Sequence, residues 1–142
     1  MHEFHQSYSA GPPQSEFWKV LHGSHTKMSD LRPDPVELAQ RPLLSVVMIL
    51  KNEEASIEGM IKSLIGVVDR YTIIDTGSTD RTKSLIRSTF GNIPGDIYDE
   101  PFVDFATTRN RVIELEGLKS VFVLMLSGDE YIKGTLLCVV HE

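Results

Sequence analysis

The chain has 142 residues, 41% of them hydrophobic and 24% charged, with a formal net charge of −6. That length and balance suit one globular domain able to bury a core, and the acidic surface argues against nucleic acid as a general partner. Cys138 is the only cysteine, which excludes an internal disulfide, and no apolar run approaches the roughly 20 residues of a membrane helix. The N-terminal stretch MHEFHQSYSAGPPQ lacks the basic start and apolar core of a signal peptide. Together these features favour a soluble protein in a reducing compartment such as the cytoplasm.

Residues 1–42 read as a flexible or loosely docked leader, and residues 43–142 as the domain. The leader holds five of the seven prolines and four of the five histidines, with no sustained period of 2 or 3.6. EFWKVL, residues 16–21, is its one apolar patch. The pairs His2/His5 and His22/His25 have metal-like spacing, but no cysteine or carboxylate pattern supports a site, and ordinary surface histidines are the simpler reading.

After Pro42 the pattern turns regular. LLSVVMIL, 43–50, is a continuous apolar run, as in a strand covered on both faces. EASIEGMIKSLIGVV then places Ile57, Ile61, Leu64, Ile65 and Val68 at helical spacing. YTIID, 71–75, is a second strand. DRTKSLIRSTFG is a second helix with Leu85, Ile86 and Phe90 inward, stopped at Gly91. DIYDE, 96–100, is a short third strand. DFATTRNRVIELEG is a third helix with Phe105, Val112 and Ile113 inward, stopped at Gly117. VFVLML, 121–126, is a fourth strand, expected to be buried. This alternation predicts an α/β fold, a mostly parallel sheet flanked by helices with right-handed crossovers. TLLCVV near the end is either a fifth short strand or an apolar tail prone to association.

In an open α/β sheet, ligands bind beyond the carboxyl ends of the strands. Three strands end in polar runs: Lys51-Asn52-Glu53-Glu54, Asp75-Thr76-Gly77-Ser78-Thr79-Asp80 and Ser127-Gly128-Asp129-Glu130. Singly, each reads as a helix cap or a solvated turn. Together they converge on one sheet edge. The glycine-rich phosphate turns of dinucleotide and P-loop folds are missing, as is a G-x-S-x-G nucleophile elbow. A carboxylate-rich edge binds a diphosphate through a divalent metal, and an Asp also accepts a hydrogen bond from a base or a ribose hydroxyl.

LSVVMILKNEE, VDRYTIIDTGSTDRT, DFATTRN and VLMLSGDEY occur in an order and spacing that resembles the family 2 glycosyltransferases of the GT-A fold, from about Leu43 to Ile132. The resemblance implies a GT-A-like sheet, incomplete at its C-terminus, that transfers a sugar from a nucleotide-sugar donor, a uridine-diphosphate sugar, with Mn²⁺ or Mg²⁺. Carried over, it places Glu53 beside the nucleoside and lets Asp75 accept from the base. Gly77, Ser78 and Asp80 shape the pocket. Arg109, with Asn110, lies near the donor or braces the acidic loop, unless it is an ordinary helix-surface cation. Asp129 matches the last acid of the Asp-x-Asp motif that holds the metal.

The chain departs from that pattern twice. Ser127 stands where the family has its first acid, so the metal site should be weaker, with Asp129 alone or aided by Glu130. After Ile132 only KGTLLCVVHE follows, so the acceptor half and its catalytic base are not recognisable; His141 and Glu142 read as tail residues. Three readings stay open: a sugar transferase, a non-catalytic nucleotide-binding or interaction module from a truncated transferase, and a marginally folded fragment. A nucleotidyltransferase would want a basic triphosphate turn that Lys51 alone does not provide.

Overall fold

A computed structural model describes residues 34–133. The expectations for residues 1–33, Cys138, the TLLCVV stretch, His141 and Glu142 lie outside the described residues. The elements run α1 (Pro35–Gln40), β1 (Leu44–Leu50), α2 (Ile57–Leu64), β2 (Arg70–Asp75), α3 (Thr82–Phe90), β3 (Gly95–Asp99), α4 (Phe105–Glu116) and β4 (Phe122–Leu126). The four strands form one sheet in the order β3-β2-β1-β4, and every pairing is parallel. The α/β architecture read from the sequence is therefore present. No described helix is long and apolar enough to cross a membrane.

The central strand β1 is apolar on both faces because both are covered. Val46, Met48 and Leu50 pack with Ile57, Met60, Ile61 and Leu64 of α2 and with Ile86 and Phe90 of α3. Val47 and Ile49 point the other way, toward Val112 and Leu115 of α4. The Asp69 carboxylate accepts from the amides of Leu43 and Leu44, each at 3.0 Å, and fixes where β1 begins.

Three expectations about burial need correction. Ile65 lies past the end of α2, its backbone is extended, and it is 47% exposed. On α4 the inward stripe is Thr108, Val112 and Glu116, spaced four apart, while Phe105 and Ile113 are 69% and 47% exposed. The Asp104 side chain caps this helix by accepting from the Thr107 amide at 2.7 Å. The polar members of the stripe are tolerated because they are bonded: Glu116 accepts from the hydroxyls of Thr72 and Ser120 and from Arg70 Nε. Finally, among the described residues β4 is an edge strand, and Phe122 and Val123 are exposed rather than buried.

Candidate functional site

Parallel strands send every connecting loop from their carboxyl ends to one side of the sheet. Here the loops after β1, β2 and β4 meet there, and the first two clasp each other. The Asn52 amide donates to Ser78 Oγ (2.9 Å), and Asn52 Oδ1 accepts from the Thr79 amide (2.9 Å). Asn52 adopts φ 53°, a left-handed conformation that asparagine tolerates better than most residues. The Glu53 amide donates to Thr82 Oγ1 and the Glu54 amide to Asp80 Oδ2. Glu54 in turn accepts from the Arg81 amide and from its guanidinium.

The carboxylates along this edge divide sharply. Glu53 accepts from the Ser56 hydroxyl at 2.8 Å. Asp80 accepts from the Thr82 amide and hydroxyl, and the hydroxyl bond holds its carboxyl below the usual range. Glu54 is likewise held low, chiefly by the Arg81 amide and then by its guanidinium. Asp99 pairs with Lys83 at 2.7 Å, a bond that raises the lysine, and Glu100 takes a forked hydrogen bond from Arg111, which lowers it. Glu130 folds back to accept from the Ser127 amide at 2.6 Å. These acids are occupied by the protein itself.

Two are not. Asp75 is buried at the end of β2; its Oδ1 accepts from the amides of Gly77 (3.0 Å) and Ser78 (2.7 Å), but its Oδ2 has no hydrogen-bond partner. Buried polar atoms are normally satisfied, so an orphan acceptor here is an anomaly a ligand donor would remove. Asp129 is exposed and makes no hydrogen bond or ion pair with any described residue. It sits next to Gly128, which is buried so closely that a Cβ there would lie 2.7 Å from Glu53 Cγ and 2.9 Å from Leu50 Cδ2.

The structure thus brings Glu53, Asp75, Gly77, Ser78, Asp80, Ser127 and Asp129 to one edge. It does not join Arg109 to them: its guanidinium lies over the Phe105 ring, 5.8 Å from the centroid, with no ion pair to the three loops among the described residues. In sequence Asn52 reads as a helix cap, and Gly128 falls in the polar run after β4. The structure instead uses Asn52 in a left-handed turn that clasps the β2–α3 loop, while α2 starts behind Ser56. Thr82 and the close seat of Gly128 work through partners distant in sequence, which no local pattern announces.

As a metal centre the edge is sparse. Among the described residues no group of three or more His, Cys, Asp and Glu side chains is placed to hold an ion. A single free carboxylate nonetheless suits Mg²⁺ or Mn²⁺ when a diphosphate and water complete the shell, because Mg²⁺ is commonly bound through one or two carboxylates plus substrate phosphates.

Residues 45–114 match the family model described as Glycosyl transferase family 2. A comparison with curated proteins finds no match. Among solved structures, Staphylococcus aureus TarS 1–349 is similar, with a TM-score of 0.52 and 20% identity over 63% of this chain and 28% of that one. A second S. aureus TarS structure gives 0.50 and 20%, over 63% of this chain and 17% of that one. Mycobacterium tuberculosis glucosyl-3-phosphoglycerate synthase gives 0.50 and 23%, over 67% and 37%. The chain therefore spans well under half the length of each neighbour, and what they share with it is the fold of the sheet and its helices.

Proposed function

We propose that this chain, which carries a glycosyl transferase family 2 segment at residues 45–114 on a GT-A-type sheet, binds the nucleotide end of a uridine-diphosphate sugar for sugar transfer. The observation that carries the reading is Asp129. Among the described residues it is the one exposed carboxylate of the edge left unpaired, and the resemblance read from the sequence gives this position to the family's metal-holding acid.

The residues divide the work by their geometry. Asp129 would hold Mg²⁺ or Mn²⁺, which when bound neutralises charge on the leaving nucleoside diphosphate. Ser127 offers a neutral hydroxyl to the ribose. Asp75 Oδ2, now closed to solvent, would accept the base N–H once the groups that cover it shift. Glu53 packs against Gly128 and would lie beside the nucleoside. The loop clasp through Asn52, Ser78 and Thr79 keeps these groups in register. Arg109 contributes to the donor site only if it leaves Phe105.

One feature favours a second reading, a nucleotide-binding module that does not transfer sugar. Ser127 brings no charge, so the ion would have a single carboxylate from this turn. A thermal-shift titration with uridine diphosphate, with and without Mn²⁺, separates the two. Ligand bound only by the native state raises Tm by mass action, by about 2.7 kcal/mol of stability at a hundredfold excess over Kd. The proposal expects a rise that needs Mn²⁺ and disappears in Asp129→Ala. A rise that ignores the metal and survives in Asp129→Ala supports the binding module. No rise in a folded protein leaves the shared fold without a donor site.

A further inference from the structure

The turn that carries Asp129 is anchored on both sides. On one side Gly128 is seated against Glu53 and Leu50. On the other, the chain crosses helix α2. The Tyr131 ring lies over Gly59, where a Cβ would be 3.4 Å from Cε1 and 3.6 Å from the phenolic oxygen. The Ile132 amide donates to Ser63 Oγ at 3.2 Å, and Ile132 packs against the main core. Ser63 is itself oriented, its hydroxyl donating to the Met60 carbonyl at 2.6 Å.

Gly59 and Ser63 are four residues apart, so they stack on the same face of α2. A larger residue at 59 would meet the ring directly. Gly59 and Ser63 lie on α2, outside the three loops, and Tyr131 is the point at which the loop after β4 leaves the sheet edge and crosses that helix. Asp129, by contrast, has no side-chain partner, so only its backbone neighbours set where its carboxylate points.

We propose that Gly59, Ser63 and Tyr131 form a strap across α2 that positions Asp129, and so sets how strongly a divalent ion strengthens nucleotide binding. They are positioning residues that touch neither ion nor nucleotide. The proposal rests on the donor-site reading above. Groups that orient a metal ligand typically change affinity by about 10–100-fold when lost, and the low end suits a strap acting through backbone.

The test uses the full chain in four forms: wild type, Gly59→Leu, Tyr131→Ala and Tyr131→Phe. Two quantities are read: amide exchange over residues 127–132, and the ratio of uridine diphosphate affinities with and without Mn²⁺. Gly59→Leu and Tyr131→Ala should speed exchange and reduce that ratio about tenfold, leaving the metal-free affinity unchanged. Tyr131→Phe should match wild type, because the ring makes the contact. Unchanged exchange in Tyr131→Ala would overturn the strap, and faster exchange with an unchanged ratio would overturn its role. No Mn²⁺ effect in wild type would instead remove the donor-site reading and the strap's function with it, while the exchange rates still report whether the strap holds the turn.

Discussion

Replacing Glu116 with Ala is expected to cost about 3 kcal/mol, the low end of what breaking a buried ion pair costs. Glu116 is fully buried on the inner face of α4. It receives the Thr72 and Ser120 hydroxyls and Arg70 Nε, and so joins α4 to β2 and to the approach to β4. Removing it leaves the buried Thr72 hydroxyl without an acceptor, while the Ser120 hydroxyl keeps only the Phe122 carbonyl. Arg70 keeps only Asp96, which is far more exposed. Thermal unfolding should show a drop in Tm on the order of 10 °C for a domain this size. Glu116→Gln, which can still accept from the hydroxyls, should lose distinctly less. Equal losses in the two variants would mean that the charge alone matters.

Gly95→Ala should be as damaging, for a steric reason. A Cβ at position 95 would lie 2.4 Å from Cγ and Cδ1 of Tyr71, well inside any tolerable contact. Tyr71 cannot easily yield. Its ring is stacked on Phe90 with centroids 4.2 Å apart, and it is 7% exposed, buried enough to push its phenol pKa up. Overpacking a tight core typically costs about 1–3 kcal/mol, and this site should lie at the top of that range. Denaturant unfolding measures it. The effect should be strongly non-additive: in a Tyr71→Ala background the same Gly95→Ala change should cost little. A full cost in both backgrounds would show that Gly95 is needed for something other than the ring.

The central strands were legible because burial on both faces writes itself as a continuous apolar run, as in VVMIL and TIID. Helix α3 was legible because its inward residues Ile86 and Phe90 are apolar at helical spacing. Helix α4 was not. Its buried stripe includes a glutamate whose partners lie as far as 46 residues away, and no local pattern announces a satisfied buried acid. The exposure of Phe122 was equally hidden, because an apolar run does not reveal whether its strand will be central or at an edge.

The candidate site was readable in part. Strand ends told where polar loops would gather. They did not tell which acids would be spent on the protein itself. By residue type and pattern alone Glu54, Asp80, Asp129 and Glu130 look equivalent, and only the family resemblance singles out Asp129. The structure separates them: the first two are committed to Arg81 and Thr82, the last folds onto Ser127, and Asp129 is left over. Glu54 meets Arg81 27 residues away, and Asp80 and Glu130 bond within two and three residues in turns whose shape pattern alone cannot supply.

The claim that one sheet edge receives a nucleotide is tested most directly by mapping where it binds. Backbone amide shifts should be followed while uridine diphosphate and Mg²⁺ are added to the full chain. The account predicts changes concentrated at residues 51–54, 75–80 and 127–131. Mn²⁺ in place of Mg²⁺ should broaden signals around Asp129 first. Changes centred instead on the shallow apolar depression at the opposite end of the sheet, lined by Ile65, Val68, Phe90 and Pro94, would contradict it, as would no change at all.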